Sequence, residues 1–428
     1  MKATFCAYDK PNYVGGPNSW LRRLLPELRS QGIQIRVLFM TQGNPDECPT
    51  VHALYSQGFD CPAILAPVYT EDRVRWILKQ LAQDPPDVFV PNLVVPAYYA
   101  GRWVRRAGIP TIGVLHSDDS FYQGLLTQFV LGDVNYRLSA LVCVSEFLER
   151  QVLTHNPNGI LIRRIPCGVP IPKRMARPPA GTMRLVYTGR LVEEQKRVSD
   201  LTRAFCRVVC EVPHTEAVIY GGGPAEAAVK QIISVEGKGL PVYFAGRIDS
   251  DQVQEHLLAA HVLVLLSDYE GLPISLMEAM ACGVVPVCLR VRSGIPELVE
   301  DGITGLLVDD RGDAFISAVR RLREDPYLWE RLSRAARAKV EASYSNEVCA
   351  MHWGELLRDL WKRAKPRPLS VPKRFSLPPV HAGLAREDQR QLPTISLAIQ
   401  KARRLAGRIK RACFAVFHAK NHERVYPY

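Results

Sequence analysis

Residues 262–287 read VLVLLSDYEGLPISLMEAMACGVVPV. The run Val262–Leu266 is apolar without a break, as a strand buried on both faces of a parallel sheet requires. ISLMEAMAC then has helical composition, and Gly283 follows at the position where helices end in a left-handed residue. Pro273 suits the first helical turn, where its missing N–H costs nothing. A second apolar strand, Val284–Cys288, completes a strand–helix–strand unit. The unit places Glu270 on the strand-to-helix loop and Glu278 about one turn into the helix. Gly271 lets the backbone come close to a ligand, and the unpaired N–H groups at the helix start favour an anion such as a diphosphate. The plain alternative is that Glu270 caps the helix and Glu278 is solvated. An acid inside ISLMEAMA, however, calls for a polar partner.

The same alternation extends in both directions. Strands are expected at Leu185–Tyr187, Glu216–Ile219 and Val242–Phe244, with helices at Ser199–Val209, Ala225–Val235 and Asp251–Ala259. Upstream, strands are expected at Ala3–Ala7, Gln34–Phe39, Val88–Val90, Thr111–Leu115 and Ala140–Val144. Helical segments near Ser19–Ser30, Asp72–Gln83, Tyr98–Ala107 and Glu146–Leu153 separate them. Strands alternating with helices imply doubly wound parallel sheets. Pro166, Pro170, Pro172, Pro178 and Pro179 interrupt the pattern and mark a linker. The expected division is 1–168 for a first, acceptor-binding domain and 181–345 for a second, donor-binding domain. A helix over 346–363 returns toward the first domain. A Pro-rich linker and basic tail occupy 364–428. Two such domains enclose a cleft at the carboxyl edges of their sheets, where ligands of open α/β sheets bind.

Two further stretches carry charge or glycine to those edges. In YTGRLVEEQK a strand ends at Gly189-Arg190, and Lys196 follows on a loop or first helical turn. Cations there neutralise a departing diphosphate; the alternative is two ordinary surface cations. In YVGGPNSW, Gly15 and Gly16 allow a phosphate to approach the first helix, unless they form an ordinary turn. His116 ends a strand and opens the cleft. Asp118 and Asp119 follow it, either orienting an acceptor hydroxyl or capping the next helix. Gly221–Gly223 reads as a strand-to-helix corner.

Taken in order, TGRLVEEQK, IYGGGPAE, VYFAGRIDSDQV, LLSDYEGLPISLMEAMACGVVPV and SGIPELVEDGITGLLV, with IPCGVP upstream, resemble glycosyltransferase family four. The resemblance covers about residues 1–363 and is strongest over 185–310. It implies the GT-B fold, a Glu-x7-Glu motif formed by Glu270 and Glu278, and a retaining transfer, commonly of a hexose. It also implies that Glu278 binds the donor ribose, Glu270 binds hydroxyls of the transferred sugar, and Arg190 and Lys196 hold the diphosphate. The amides of Gly271 and Leu272 assist, the main chain at Arg247 and Ile248 reads the base, and His116 touches the sugar near the reacting centre. The loop with Gly15 and Gly16 reaches across to the donor. Most members need no metal, so no cofactor is expected beyond the nucleotide-sugar donor. Departures are Arg197 and Ser293 where Gly is common, and Gly222 where an acid is usual.

The charge agrees with this division of labour. The chain has 428 residues and a formal charge of +12, of which residues 364–428 hold 14 Lys/Arg against 3 Asp/Glu. An anionic partner is therefore expected for the tail rather than for the body, and no nucleic acid. Between Ile395 and Phe417 the apolar residues other than Leu397 and Phe414 share one helical face, with Lys401, Arg404, Arg408 and Arg411 opposite and Arg403 and Lys410 near the boundary, the pattern of an interfacial helix on an anionic membrane. Docking of that face on the enzyme body, or a disordered basic tail, is the alternative. Eleven cysteines without a Cys-x2-Cys pair, most in apolar runs, read as reduced, buried thiols. No stretch reaches about 18 apolar residues, so no membrane span is expected. The expected location is the cytoplasm, peripherally at the inner face of a membrane. The expected acceptor is a hydroxyl of a glycan, lipid-linked or small-molecule acceptor. Two other classes compete: a nucleotide-sugar epimerase of the same fold, which lacks the Glu-x7-Glu series, and a silent nucleotide-sugar-binding protein, which would lose the cleft residues. The oligomeric state is left open.

Overall fold

The first sheet contains β1 (Lys2–Asp9), β2 (Gln34–Thr41), β3 (Ala63–Leu65), β4 (Val88–Val90), β5 (Ile112–Leu115), β6 (Ala140–Cys143) and β7 (Leu161–Arg164). Its strands run parallel in the order β3-β2-β1-β4 and β5-β6-β7, and a bridge from Phe89 to Thr111 joins the two groups. The second sheet contains β8 (Met183–Thr188), β9 (Thr215–Tyr220), β10 (Val242–Gly246), β11 (Val262–Leu265), β12 (Val285–Leu289) and β13 (Leu306–Val308). It is parallel in the order β10-β9-β8-β11-β12-β13. Both domains are therefore doubly wound, as expected. In each, the winding reverses between the first and fourth strands, and the loops that diverge there leave a crevice for ligands. These are the loops after β1 and β4 in one domain and after β8 and β11 in the other. The computed structural model describes residues 1–390 other than Val14, Ser250 and Asp251. The basic segment 395–417 lies outside the described residues.

The strands are buried because their side chains leave no polar face: VLVL of β11 is inaccessible throughout. The helix Gly16–Ser30 opens with Pro17 in its first turn and buries Trp20, Leu21, Leu24, Leu25 and Leu28. The tract 313–363 forms three helices, broken at Asp325 and at Tyr344–Ser345. Asp325 and Ser345 each cap the helix that follows through their side chains. The last of these, Asn346–Arg363, crosses back to the first domain, where Trp353 packs on Phe5 and Trp20 with ring centroids 6.3 and 5.5 Å apart. The two chain crossings between the domains lie side by side: Val169 N–H donates to the Tyr344 carbonyl and Asn346 N–H donates to the Val169 carbonyl.

The proline-rich segment after residue 363 is not a free spacer. It lies against the first domain and climbs the helix Val95–Arg106 from its last turn to its first. Arg367 N–H donates to the Ala107 carbonyl at 2.7 Å. Phe375 stacks edge-on against Trp103, centroids 5.2 Å apart, under the Arg75 guanidinium. Leu384 is fully buried beside Gly124, and Gly383 passes so close to the Ser120 carbonyl that a Cβ would stand 2.1 Å from it. The segment ends on Asp388, whose side chain is inaccessible. Thr70 and Tyr99 hydroxyls donate to Asp388 at 2.7 and 2.8 Å, and Arg390 pairs with the same carboxylate. A buried charge is tolerated only with such compensation. We call residues 364–390 the strap.

Candidate active site

Glu270 sits on the loop after β11 with 5% exposure. Lys196, also buried, reaches its Oε1 at 2.5 Å from the loop after β8, and Gln195 donates to Oε2 at 3.3 Å. Lys196 closes a four-residue helix, Glu193–Lys196, and Arg197 follows at φ 50°, in the left-handed region. Glycine suits that backbone and an arginine adopts it at a cost. Arg190 is exposed, donates to Gln195 Oε1 at 3.3 Å, and lies close enough to Asp119 of the other domain to favour its carboxylate. Burial is the larger influence on Asp119 and raises its pKa. Glu278, one turn into the helix Ile274–Ala281, is half-buried. Its polar partner is Arg23 of the first domain, an ion pair across the cleft.

From the first domain, His116 comes to the cleft at the end of β5. Its Nε2 lies 3.3 Å from Asn92 Oδ1, its Nδ1 faces the Cys167 thiol, and its ring stands edge-on to Trp20. Burial pulls the imidazole pKa down to about 3, so the ring is neutral near pH 7. With the proton on Nε2 it donates to Asn92. The ring thus bonds within its own domain, and it is the His116 carbonyl that meets the second domain. A Cβ on Gly271 would stand 2.1 Å from that oxygen, and a Cβ on Gly294 would stand 2.0 Å from the Gly271 carbonyl. Those glycines permit the domains to touch. Gly15 precedes the helix Gly16–Ser30, and the Cβ position of Gly16 lies 3.5 Å from Ile274, the first residue of the helix that carries Glu278. The glycine loop therefore faces that helix start. Leu272 is buried beside Gly271. Arg247 is exposed, covers Gly222, and donates to the Asn12 carbonyl across the cleft at 2.8 Å; Ile248 follows it, partly buried. A side chain at position 222 would meet that of Arg247. Asp119 caps the helix Ser120–Leu126, accepting from Phe121 and Tyr122 N–H.

Contacts between the two domains thus run through or beside Glu278, Gly271, Arg190, Arg247, Gly16 and His116. Several of their functional neighbours were not found in the sequence. Arg23 and Asn92 carry no motif. Glu297 accepts the N–H groups of Glu146 and Phe147 at 2.8 Å each, so a carboxylate of the second domain caps a helix of the first. Its pKa is raised, burial outweighing those two bonds. The sequence does hold one Asp-x-Asp triplet, Asp249-Ser250-Asp251, of which Ser250 and Asp251 are outside the described residues. Among the described residues no three His, Cys, Asp or Glu side chains are placed to hold a metal ion. No helix among them is long and apolar enough to cross a membrane. Their ten cysteines are free thiols, eight of them buried.

Comparison with known proteins agrees with this layout. Residues 14–172 match the model described as Glycosyltransferase Family 4, and residues 182–325 match the one described as Glycosyl transferases group 1. The chain is 30% identical to the glycogen synthase of Mycobacterium tuberculosis, over 79% of this chain and 90% of that one. This chain is a family 4 glycosyltransferase. The glycosyltransferase is also 29% identical to a GDP-mannose-dependent monoacylated alpha-(1-6)-phosphatidylinositol monomannoside mannosyltransferase of Corynebacterium glutamicum, over 79% of this chain and 93% of that one. Its fold is that of the GT-B enzymes. HepE of Anabaena, solved with UDP and glucose, superposes with a TM-score of 0.68 at 17% identity, covering 84% of this chain and 100% of that one. The lipopolysaccharide outer core galactosyltransferase WaaB superposes with a TM-score of 0.65, covering 84% and 99%.

Proposed function

We propose that this glycosyltransferase moves a hexose, with retention, from a nucleoside-diphosphate sugar to a hydroxyl of a lipid-linked or glycan acceptor. The observation that carries the reading is the buried Lys196–Glu270 pair, set with Arg190 at the switch point of the second sheet, with the neighbouring Gly271 against the His116 carbonyl of the first domain. Desolvating such a pair costs free energy that its mutual attraction need not repay, so the pair is weak as a stability device and fits a binding role better. The relatives supply the donor and acceptor classes: one is named for GDP-mannose and a phosphatidylinositol mannoside, and another was solved with UDP and glucose.

In this reading the second domain takes the donor. Glu278 binds the ribose hydroxyls, the main chain at Arg247 and Ile248 holds the base, and Glu270 takes hydroxyls of the sugar. Arg190, Lys196 and the amides of Gly271 and Leu272 face the diphosphate, with Gly15 and Gly16 closing over it. Charge builds on the diphosphate as the bond from its oxygen to the anomeric carbon breaks, and fixed cations there stabilise the transition state more than the ground state. The acceptor oxygen bonds to the anomeric carbon from the same face. Its proton passes to an oxygen of the leaving diphosphate. Neutral His116 orients the sugar, and closure of the domains excludes water. A thermal-shift screen of nucleotide sugars identifies the donor, since a ligand bound to the folded state alone raises its stability. The NMR coupling of the product's anomeric proton then reads stereochemistry. An inverted product, or no stabilisation by any nucleotide sugar, rejects the proposal.

A further inference from the structure

The first domain has a second concave site, on the edge of its sheet away from the cleft. Residues 108–110 lead into β5 and Ser139 leads into β6, so both lie at the amino edge of that sheet, whereas the cleft opens at the carboxyl edge. Two helices end there: Val95–Arg106, and Asn346–Arg363 on its return from the second domain. The strap starts at the same point. Gly108 lets it pass, since a Cβ there would stand 2.1 Å from the Lys365 carbonyl. Among these elements is a cavity of about 310 Å³, lined by Arg105, Arg363 and Lys365 with Ile109, Pro110 and Leu360. That volume is near the lower end of the range for small-molecule sites.

The charge around it is one-sided. Residues 105–111 and 360–367 together hold six Arg or Lys and no Asp or Glu. Basic residues at a helix end are ordinary, because they complement the helix dipole, but each end carries only about half a negative charge. Two ends answer about one of the six cations. The side chains of Arg363 and Lys365 have no partner among the described residues. Arg105 bonds through Nη1 alone, to the carbonyls of Val134 and Arg137. Burial, and after it the Arg137 charge, pull its pKa below the usual arginine value. The other side of the lining is apolar, and Ile109, Pro110 and Leu360 are all buried. Guanidinium groups bind phosphate through paired hydrogen bonds and an ammonium adds a point charge. Three cations beside an apolar wall therefore suit a phosphate with a carbon skeleton attached.

We propose that this cavity is a binding site for a phosphate monoester, distinct from the donor and acceptor sites: Arg105, Arg363 and Lys365 hold the phosphate, and Ile109, Pro110 and Leu360 take the organic part. A ligand there ties the end of the crossing helix and the start of the strap to the first domain. Isothermal titration calorimetry of the full chain with phenyl phosphate, and with its two halves, inorganic phosphate and phenol, tests the site. Phenyl phosphate is expected to bind, more weakly as salt rises. Inorganic phosphate should bind about tenfold more weakly, since it buries no apolar surface, and phenol should not bind. Arg363→Gln with Lys365→Gln removes two cations that hold nothing else among the described residues. That variant should keep the wild-type melting temperature and turnover, while phenyl phosphate binds it about tenfold more weakly. Wild-type affinity in the variant places the ligand elsewhere and overturns the proposal. So does the absence of phenyl phosphate binding, inorganic phosphate binding as tightly as the ester, or phenol binding as tightly as the ester.

Discussion

At the scale of single residues, the site is a set of charges held by partners from both domains. Glu278 illustrates it. An acid in ISLMEAMA demanded a polar partner, and the partner is Arg23, over two hundred residues earlier in the chain. Arg23 bonds one carboxylate oxygen, Oε1, and its other terminal nitrogen is buried without a partner. In the proposed reading, Oε2 of Glu278 takes a ribose hydroxyl. Arg23 is therefore expected to orient the carboxylate rather than to take part in bond making. Arg23→Gln should raise the donor KM by about three- to tenfold with kcat little changed, the signature of binding lost equally in ground and transition states. Glu278→Gln should do the same more strongly. Steady-state kinetics on both variants check this; a fall in kcat with KM unchanged would place Arg23 nearer the chemistry.

At the scale of elements, long buried strands and amphipathic helices were legible, because a parallel sheet covered on both faces writes continuous apolar runs into the chain. The short edge strands β3, β7 and β13 were not. β7 reads LIRR and is half exposed, so no run marks it. The site was legible where its residues sit on one strand–loop–helix unit, as Glu270 and Glu278 do. It was illegible where two elements meet only in the folded molecule, as Asn92 meets His116. Glu297 belongs to this second kind. Its carboxylate takes two N–H groups at the start of the helix Glu146–Thr154, where the helix dipole favours negative charge. Ser145 caps the same helix, so the helix itself does not depend on Glu297. What Glu297 adds is one contact between the domains. Glu297→Ala should leave the melting temperature nearly unchanged but cost the closed form about 2 kcal/mol. Turnover should then fall by more than about tenfold. Kinetics with X-ray scattering in saturating nucleoside diphosphate test this, and a wild-type radius of gyration with wild-type turnover would exclude it.

At the scale of the whole molecule, the strap changes how the chain is read. Proline density at 366–379 describes a linker, and nothing in local pattern shows that it packs on the first domain, since residue separations of about three hundred cannot be seen there. Asp388→Ala would leave Arg390 and two hydroxyls without their acceptor, and breaking a buried pair from one side costs about 3 kcal/mol. The variant should melt lower and be cut by protease within the strap before the body unfolds; limited proteolysis followed by mass spectrometry locates the first cut. The strap and the helix before it also set an order of events during synthesis. Trp353 and Leu384 complete a core that begins with Phe5 and Trp20. The second domain lies between them in the chain and is contiguous, so it can close as soon as it leaves the ribosome. The amino-terminal domain is translated first and finished last. Its nascent form waits, with an apolar face uncovered, through the whole time needed to translate its neighbour, which makes that interval the one in which a chaperone has most to do.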